Sequence, residues 1–125
     1  MAYRVINSQL ICADYERTYV EAVELQMPAL AAEAASGVMF LAGTRLAQAD
    51  RAQAWVVHAQ AQARASGSVA EEHRVAKTLG NLAYARGDFS RAHAHYSEAL
   101  KLAESAFDPN DIRLAQTYNN LGTAN

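Results

Sequence analysis

Ala76-Lys77-Thr78-Leu79-Gly80-Asn81-Leu82-Ala83-Tyr84-Ala85-Arg86-Gly87-Asp88-Phe89-Ser90-Arg91-Ala92-His93-Ala94-His95-Tyr96-Ser97-Glu98-Ala99-Leu100 is the stretch whose reading decides the fold. Apolar and small residues recur in it at three- and four-residue intervals on either side of Gly87, which is helical periodicity. Gly87 stands where a left-handed residue closes a helix, and Asp88 can then cap the next one. A turn this short makes the two helices an antiparallel hairpin. Gly80 and Ala92 are small enough to let the helices touch. Phe89 and Tyr96 are expected to fill the space beside that contact.

The same periodicity runs outward along nearly the whole chain, and no stretch alternates as a strand would. Breaks fall at Met27-Pro28, between Gly43 and Gln48, at Ser66-Gly67-Ser68, at Arg86-Gly87-Asp88 and at Phe107-Asp108-Pro109-Asn110. They predict six helices, roughly over 8–26, 29–43, 47–65, 69–86, 89–106 and 110–124. Asp108 and Pro109 read as a stop and restart, because proline fits the first turn of a helix but not its interior. Alanine, the best helix former, is the commonest residue, and proline occurs only at positions 28 and 109. A chain of 125 residues is expected to form one domain.

Leu79, Gly80, Gly87, Phe89, Ala92, Tyr96, Ala99 and Leu100 occupy the places that define a tetratricopeptide repeat, and the segment closely resembles that family. Ala83 departs from the family's usual aromatic, although Tyr84 is next to it. Leu121-Gly122 repeats Leu79-Gly80 at an interval of 42 residues, longer than the usual ~34. Such extended repeats are familiar in kinesin-light-chain-like proteins and bacterial regulators. Residues 110–124 then form either a capping helix or the start of a further repeat. Upstream, Ala52, Val56 and Ala59 can be laid on Ala92, Tyr96 and Ala99, which makes 29–65 a degenerate repeat. Tyr19 and Ala22 before Pro28 look like the tail of an earlier second helix, so that residues 1–65 read as degenerate hairpins beside the well-defined repeat at 69–106. The resemblance implies an all-α superhelix of helical hairpins, since one hairpin cannot bury its own apolar face.

In that family the first helix of each repeat lines the concave surface and touches a bound peptide. Carried onto this sequence, the contact positions are Arg74, Lys77, Asn81, Tyr84 and Ala85, then Gln116, Asn119, Asn120 and Thr123. Asparagine offers a donor and an acceptor to a peptide backbone that has no strand partner. Arg74 and Lys77 would attract a carboxylate. Lys77 with Asn81 and Asn120 resembles a carboxylate clamp for chaperone C-termini, a clamp that normally draws further basic residues from a third repeat. The function implied is a protein-interaction scaffold or adaptor that holds a peptide or protein segment, with no cofactor. The alternative is a regulatory or sensor module that binds a small molecule or a neighbouring effector domain. A sensor needs a closed pocket with aromatic walls, whereas a peptide binder needs an open polar groove.

Other classes find little support in the residues. The net charge of −2 comes from scattered residues and leaves no basic stripe for phosphates, so no nucleic-acid partner is expected. No apolar run approaches the ~20 residues of a membrane span. The first residues lack a secretory pattern, which gives an expectation of a cytoplasmic protein. Cys12 is alone and reads as a small apolar residue. His93 and His95 lie about 200° apart around a helix and cannot chelate one metal from one face. His58 and His73 lack ligand partners at suitable spacing. Glu71-Glu72 and Glu21…Glu24 read as solubilising charges, and no activated nucleophile or phosphate loop is present, so no enzyme is expected. The most apolar region, Val38 to Leu41 with Trp55 to Val57, is either core or a surface for self-association through an exposed solenoid end.

Overall fold

The computed structural model describes residues 2–124, with side chains from residue 6 onward. It is all-helical among those residues. Six helices follow in order: α1 (Ala2–Glu24), α2 (Pro28–Thr44), α3 (Ala49–Ser66), α4 (Val69–Ala85), α5 (Phe89–Ala106) and α6 (Ile112–Ala124). None is long and apolar enough to cross a membrane. The chain divides into two compact units, Met1–Gly67 and Ser68–Asn125, at the Ser66-Gly67-Ser68 break.

The helix ends have local causes. Gly67 and Gly87 adopt left-handed backbone (φ 68° and 77°), as a C-terminal stop demands. The Ser68 side chain accepts from the Glu71 N–H, and Asp88 accepts from the Arg91 N–H, so each satisfies an orphan donor of the helix it starts. Pro28 occupies the first turn of α2.

Helix α2 ends at Thr44, inside the break expected between Gly43 and Gln48, and Ala47 takes φ 52° in the turn that follows. Two ends depart from expectation. Helix α1 starts at Ala2 instead of near residue 8, because residues 2–7 contain neither glycine nor proline to stop propagation. Pro109 lies in the turn ahead of α6 and not in its first helical turn. Asp111, directly before Ile112, accepts from the Arg113 N–H there.

In the first unit α2 packs against both α1 and α3. Its small residues Ala31, Ala32, Ala34 and Ala35 are buried along with Val38 and Met39. Cys12, Val38 and Leu41 form a core with Tyr15, Leu46 and Trp55 against it, so the apolar region around Val38 and Trp55 serves chiefly as core. Phe40 and Val57 remain outside it (37% and 66% exposed). Gly37 lets α1 approach, since a Cβ there would stand 2.7 Å from the Tyr15 ring. Side chains also link α1 to α3. Glu16 pairs with Arg51, and Tyr19 meets Trp55 edge-on at 5.0 Å and contacts His58 Nδ1 at 3.1 Å. Burial pushes the Cys12 thiol above its ordinary pKa, as an inert structural cysteine requires.

In the second unit α5 packs against α4 and α6. Tyr96 is the pivot. Its ring lies where a Cβ on Gly80 would come within 2.5 Å of two ring carbons. It shares a core with Ala83, Ala92 and Ala124, and Leu121 packs against the group. A buried aromatic of this kind contributes about 2–3 kcal/mol of transfer free energy. Phe89 does not join that core. It is 51% exposed and stacks obliquely on Tyr84 at 5.2 Å.

Candidate functional site

The polar residues of interest in the second unit gather where α4 meets α6. His73 is buried on α4, and its Nε2 lies 2.9 Å from the Thr117 hydroxyl on α6. Thr117 spends its one hydroxyl proton on the Arg113 carbonyl at 2.8 Å. It must therefore accept from His73, which assigns the ring proton to Nε2. Phe107 meets the imidazole edge-on at 5.0 Å.

The Arg113 guanidinium lies over the Phe107 ring at 3.8 Å from its centroid. It also forks onto Asp111, with Nε to Oδ1 at 3.1 Å and an amino nitrogen to Oδ2 at 2.8 Å. That fork holds the Asp111 carboxyl down to about 2. Cation–π contact and a bidentate carboxylate together fix an otherwise flexible side chain.

The environment of His73 is hostile to a proton. Burial is the largest cause, and Lys77, Arg113 and Arg74 add repulsion that Asp111 only partly offsets, so its pKa falls to about 4. Lys77, half-buried one turn along α4, is also lowered, first by burial and then by Arg74 and Arg113. The charges of three cations thus act on one neutral histidine. Arg74 has Glu71 at 3.6 Å and Arg113 has Asp111. Among the described residues, no carboxylate lies within ion-pair distance of Lys77. A half-buried cation that is repelled by two neighbours and matched by no acid is a place where an incoming anion is favoured.

The structure brings some of the expected contact residues together and leaves others apart. Arg74 and Lys77 share the cluster. The Asn81 Oδ1 accepts from the Tyr96 hydroxyl, which fixes the amide and leaves its two N–H donors for another partner. Tyr84 is 40% exposed but leans on Phe89. On α6, Gln116 and Asn119 are exposed and Asn120 is half-buried. Thr123 donates to the Asn119 carbonyl. Gln116, Thr117 and Asn120 lie within two turns of Arg113 on one helical face. Ala85 is exposed and adds no polar group.

Sequence reading missed Arg113, His73 and Asp111 as members of this site. Their signal was positional, since Arg113 precedes Gln116, Thr117 and Asn120 by three, four and seven residues. Glu71 also differs from its reading as a solubilising charge. Its side chain is only 14% exposed, and one carboxylate oxygen is buried beside Arg74. Comparison of the chain with protein-family models, curated proteins and solved structures returned no match.

Proposed function

We propose that the second unit is a tetratricopeptide-like interaction module that binds an acidic peptide or protein segment across α4 and α6, and that the protein acts as a cytoplasmic adaptor or scaffold. The observation that carries this reading is the half-buried Lys77, lowered by burial and by the charges of Arg74 and Arg113, with no carboxylate within ion-pair distance among the described residues. A ligand carboxylate arriving there would relieve the repulsion and return Lys77 towards its ordinary pKa. The unspent amide donors of Asn81, with Gln116, Asn119 and Asn120 on α6, suit an extended backbone that lacks strand partners. The hairpin of α4 and α5, closed by Gly87 and pivoted on Gly80 and Tyr96, supports the repeat reading. The chemistry needed is recognition alone, since binding uses fixed donors and charge and no reacting group.

The test is a pull-down comparing wild type with a Lys77→Ala, Asn81→Ala, Asn120→Ala variant shown by circular dichroism to be folded. Partners held by wild type and lost by the folded variant are expected. Partners retained equally by both would move the site off this face.

A further inference from the structure

The cations of α4 have an aromatic neighbour two turns further along. Tyr84, in the last turn of α4, is 40% exposed, and Phe89, the first residue of α5, is 51% exposed. Their ring centroids lie 5.2 Å apart with the planes inclined at 60°. Neither ring belongs to the core around Tyr96. Two inclined rings, each about half in solvent, offer apolar surface to one incoming side chain.

Helical geometry fixes where that surface lies relative to Lys77. Tyr84 follows Lys77 by seven residues, which returns it to within about 20° of the same face, about 10.5 Å along the axis. Asn81 stands between them. Its Oδ1 is taken by the Tyr96 hydroxyl and its N–H donors are unspent. The order along α4 is therefore cation, amide donor, aromatic pair. The approach is not acidic, because Asp88, the acid of the adjoining turn, is engaged by the Arg91 backbone and side chain. Arg86 in the same turn is exposed and adds a positive charge.

This spacing selects a backbone conformation for the ligand. A polyproline II chain has three residues per turn and rises ~3.1 Å per residue, so side chains three positions apart leave one side ~9.3 Å from each other. A β-strand returns to one side only after two residues or four, ~6.7 or ~13.4 Å. The first distance lies nearest the ~10.5 Å between Lys77 and Tyr84. Carbonyls of a polyproline II chain have no internal partners, which suits the Asn81 donors. Proline favours that conformation and docks on aromatic side chains. Resting on the acidic-segment reading above, we propose that the ligand is a proline-containing acidic segment in polyproline II conformation. It places a carboxylate at Lys77 and, three residues away, a proline ring on Tyr84 and Phe89. The aromatic pair supplies the specificity, since the cations accept any acid.

NMR titration of the full chain with short capped peptides tests this. Each peptide carries one proline and one glutamate in a serine–glycine background, in either order and two, three or four positions apart. The three-position peptide in one of the two orders is expected to bind tightest, by about five-fold over the others. It should move the Tyr84 and Phe89 ring signals and the Asn81 side-chain amide together. Filling the intervening positions with proline, which sets the conformation in advance, should tighten binding further. Phe89→Ala is expected to stay folded by circular dichroism. It should abolish the advantage of proline over serine in the peptide while keeping that of glutamate over glutamine. Tyr84→Ala is expected to do the same and serves if Phe89→Ala does not fold. A tightest peptide at two or four positions, indifference to spacing, or a proline preference that survives both substitutions would overturn the proposal and leave the acidic-segment reading standing. Peptides whose glutamate gives no advantage over glutamine would defeat that reading, and this proposal with it.

Discussion

Gly80 and Gly122 each follow a leucine, 42 residues apart, and the same substitution at each is expected to change stability in opposite directions. Replacing a mid-helix glycine by alanine removes backbone freedom from the unfolded chain and gains about 0.8–1 kcal/mol. Gly122 lies in the last turn of α6, where part of that gain remains, and nothing opposes it, since a Cβ would lie in open space. At Gly80 the Cβ would lie 2.5 Å from Cδ1 and Cε1 of Tyr96 and 3.0 Å from its Cζ. The ring cannot simply swing aside, because it is buried among Ala83, Ala92 and Ala124 and its hydroxyl is bonded to Asn81. Helix α4 must move away from α5, and overpacking of this kind costs about 1–3 kcal/mol. The net expectation is a loss of roughly 1–2 kcal/mol for Gly80→Ala and a gain of up to about 1 kcal/mol for Gly122→Ala. Urea unfolding of dilute protein, followed by circular dichroism, reads both. A double-mutant cycle isolates the cause, because in a Tyr96→Ala background the clash is gone and Gly80→Ala should become neutral or stabilising. Equal gains at the two glycines in the wild-type background would refute the close packing of Tyr96 on Gly80.

Two further expectations concern the second unit. Because His73 is held neutral with its pKa lowered from 6.5 to about 4, the unfolded chain binds the proton more tightly than the folded one. The stability His73 confers is then complete above about pH 6.5 and is lost as the pH falls towards 4, by at most about 3 kcal/mol. His73→Gln, which can still donate to Thr117, should flatten that slope in urea titrations between pH 7 and 4.5. An unchanged slope would assign the acid sensitivity to other groups. Ser68→Ala and Asp88→Ala each remove a side-chain acceptor from a helix start and should each lower stability by about 1 kcal/mol. Thermal melts that match wild type would show the caps to be idle.

How far the fold was legible follows from which interactions are local. Gly87, Asp88, Ser68 and Pro28 act within a few residues of themselves, so the hairpins could be read from spacing alone. The contact of Gly80 with Tyr96 spans 16 residues, and a small residue on one helix with an aromatic on the next made it readable. Helix α2 ends at Thr44, one residue past Gly43, and Ala47 takes left-handed backbone in the turn that follows without a glycine to announce it. Phe89 shows where spacing fails. It is expected to fill the space beside the helix contact, yet the helix crossing leaves it beside Tyr84 near the surface.

The candidate site was legible only in part, for a physical reason. Lys77 and Arg74 share one helix, so their neighbourhood follows from helical periodicity. Arg113 joins them from another helix through Phe107 and Asp111, and His73 is tied to Thr117 across 44 residues. Contacts of that separation depend on how helices cross, which residue spacing within one helix does not specify. The cost of holding a proton on His73 is likewise collective, since it comes from burial together with three cations.

The most direct test of the acidic-segment reading is selection from a library of random displayed peptides, run in parallel on wild type and on Lys77→Gln. Wild type is expected to enrich peptides rich in Asp, Glu or free C-terminal carboxylates, and Lys77→Gln to lose that enrichment while keeping its helical spectrum. Selected peptides with no acidic bias, or the same acidic peptides recovered on Lys77→Gln, would contradict a binding face centred on Lys77.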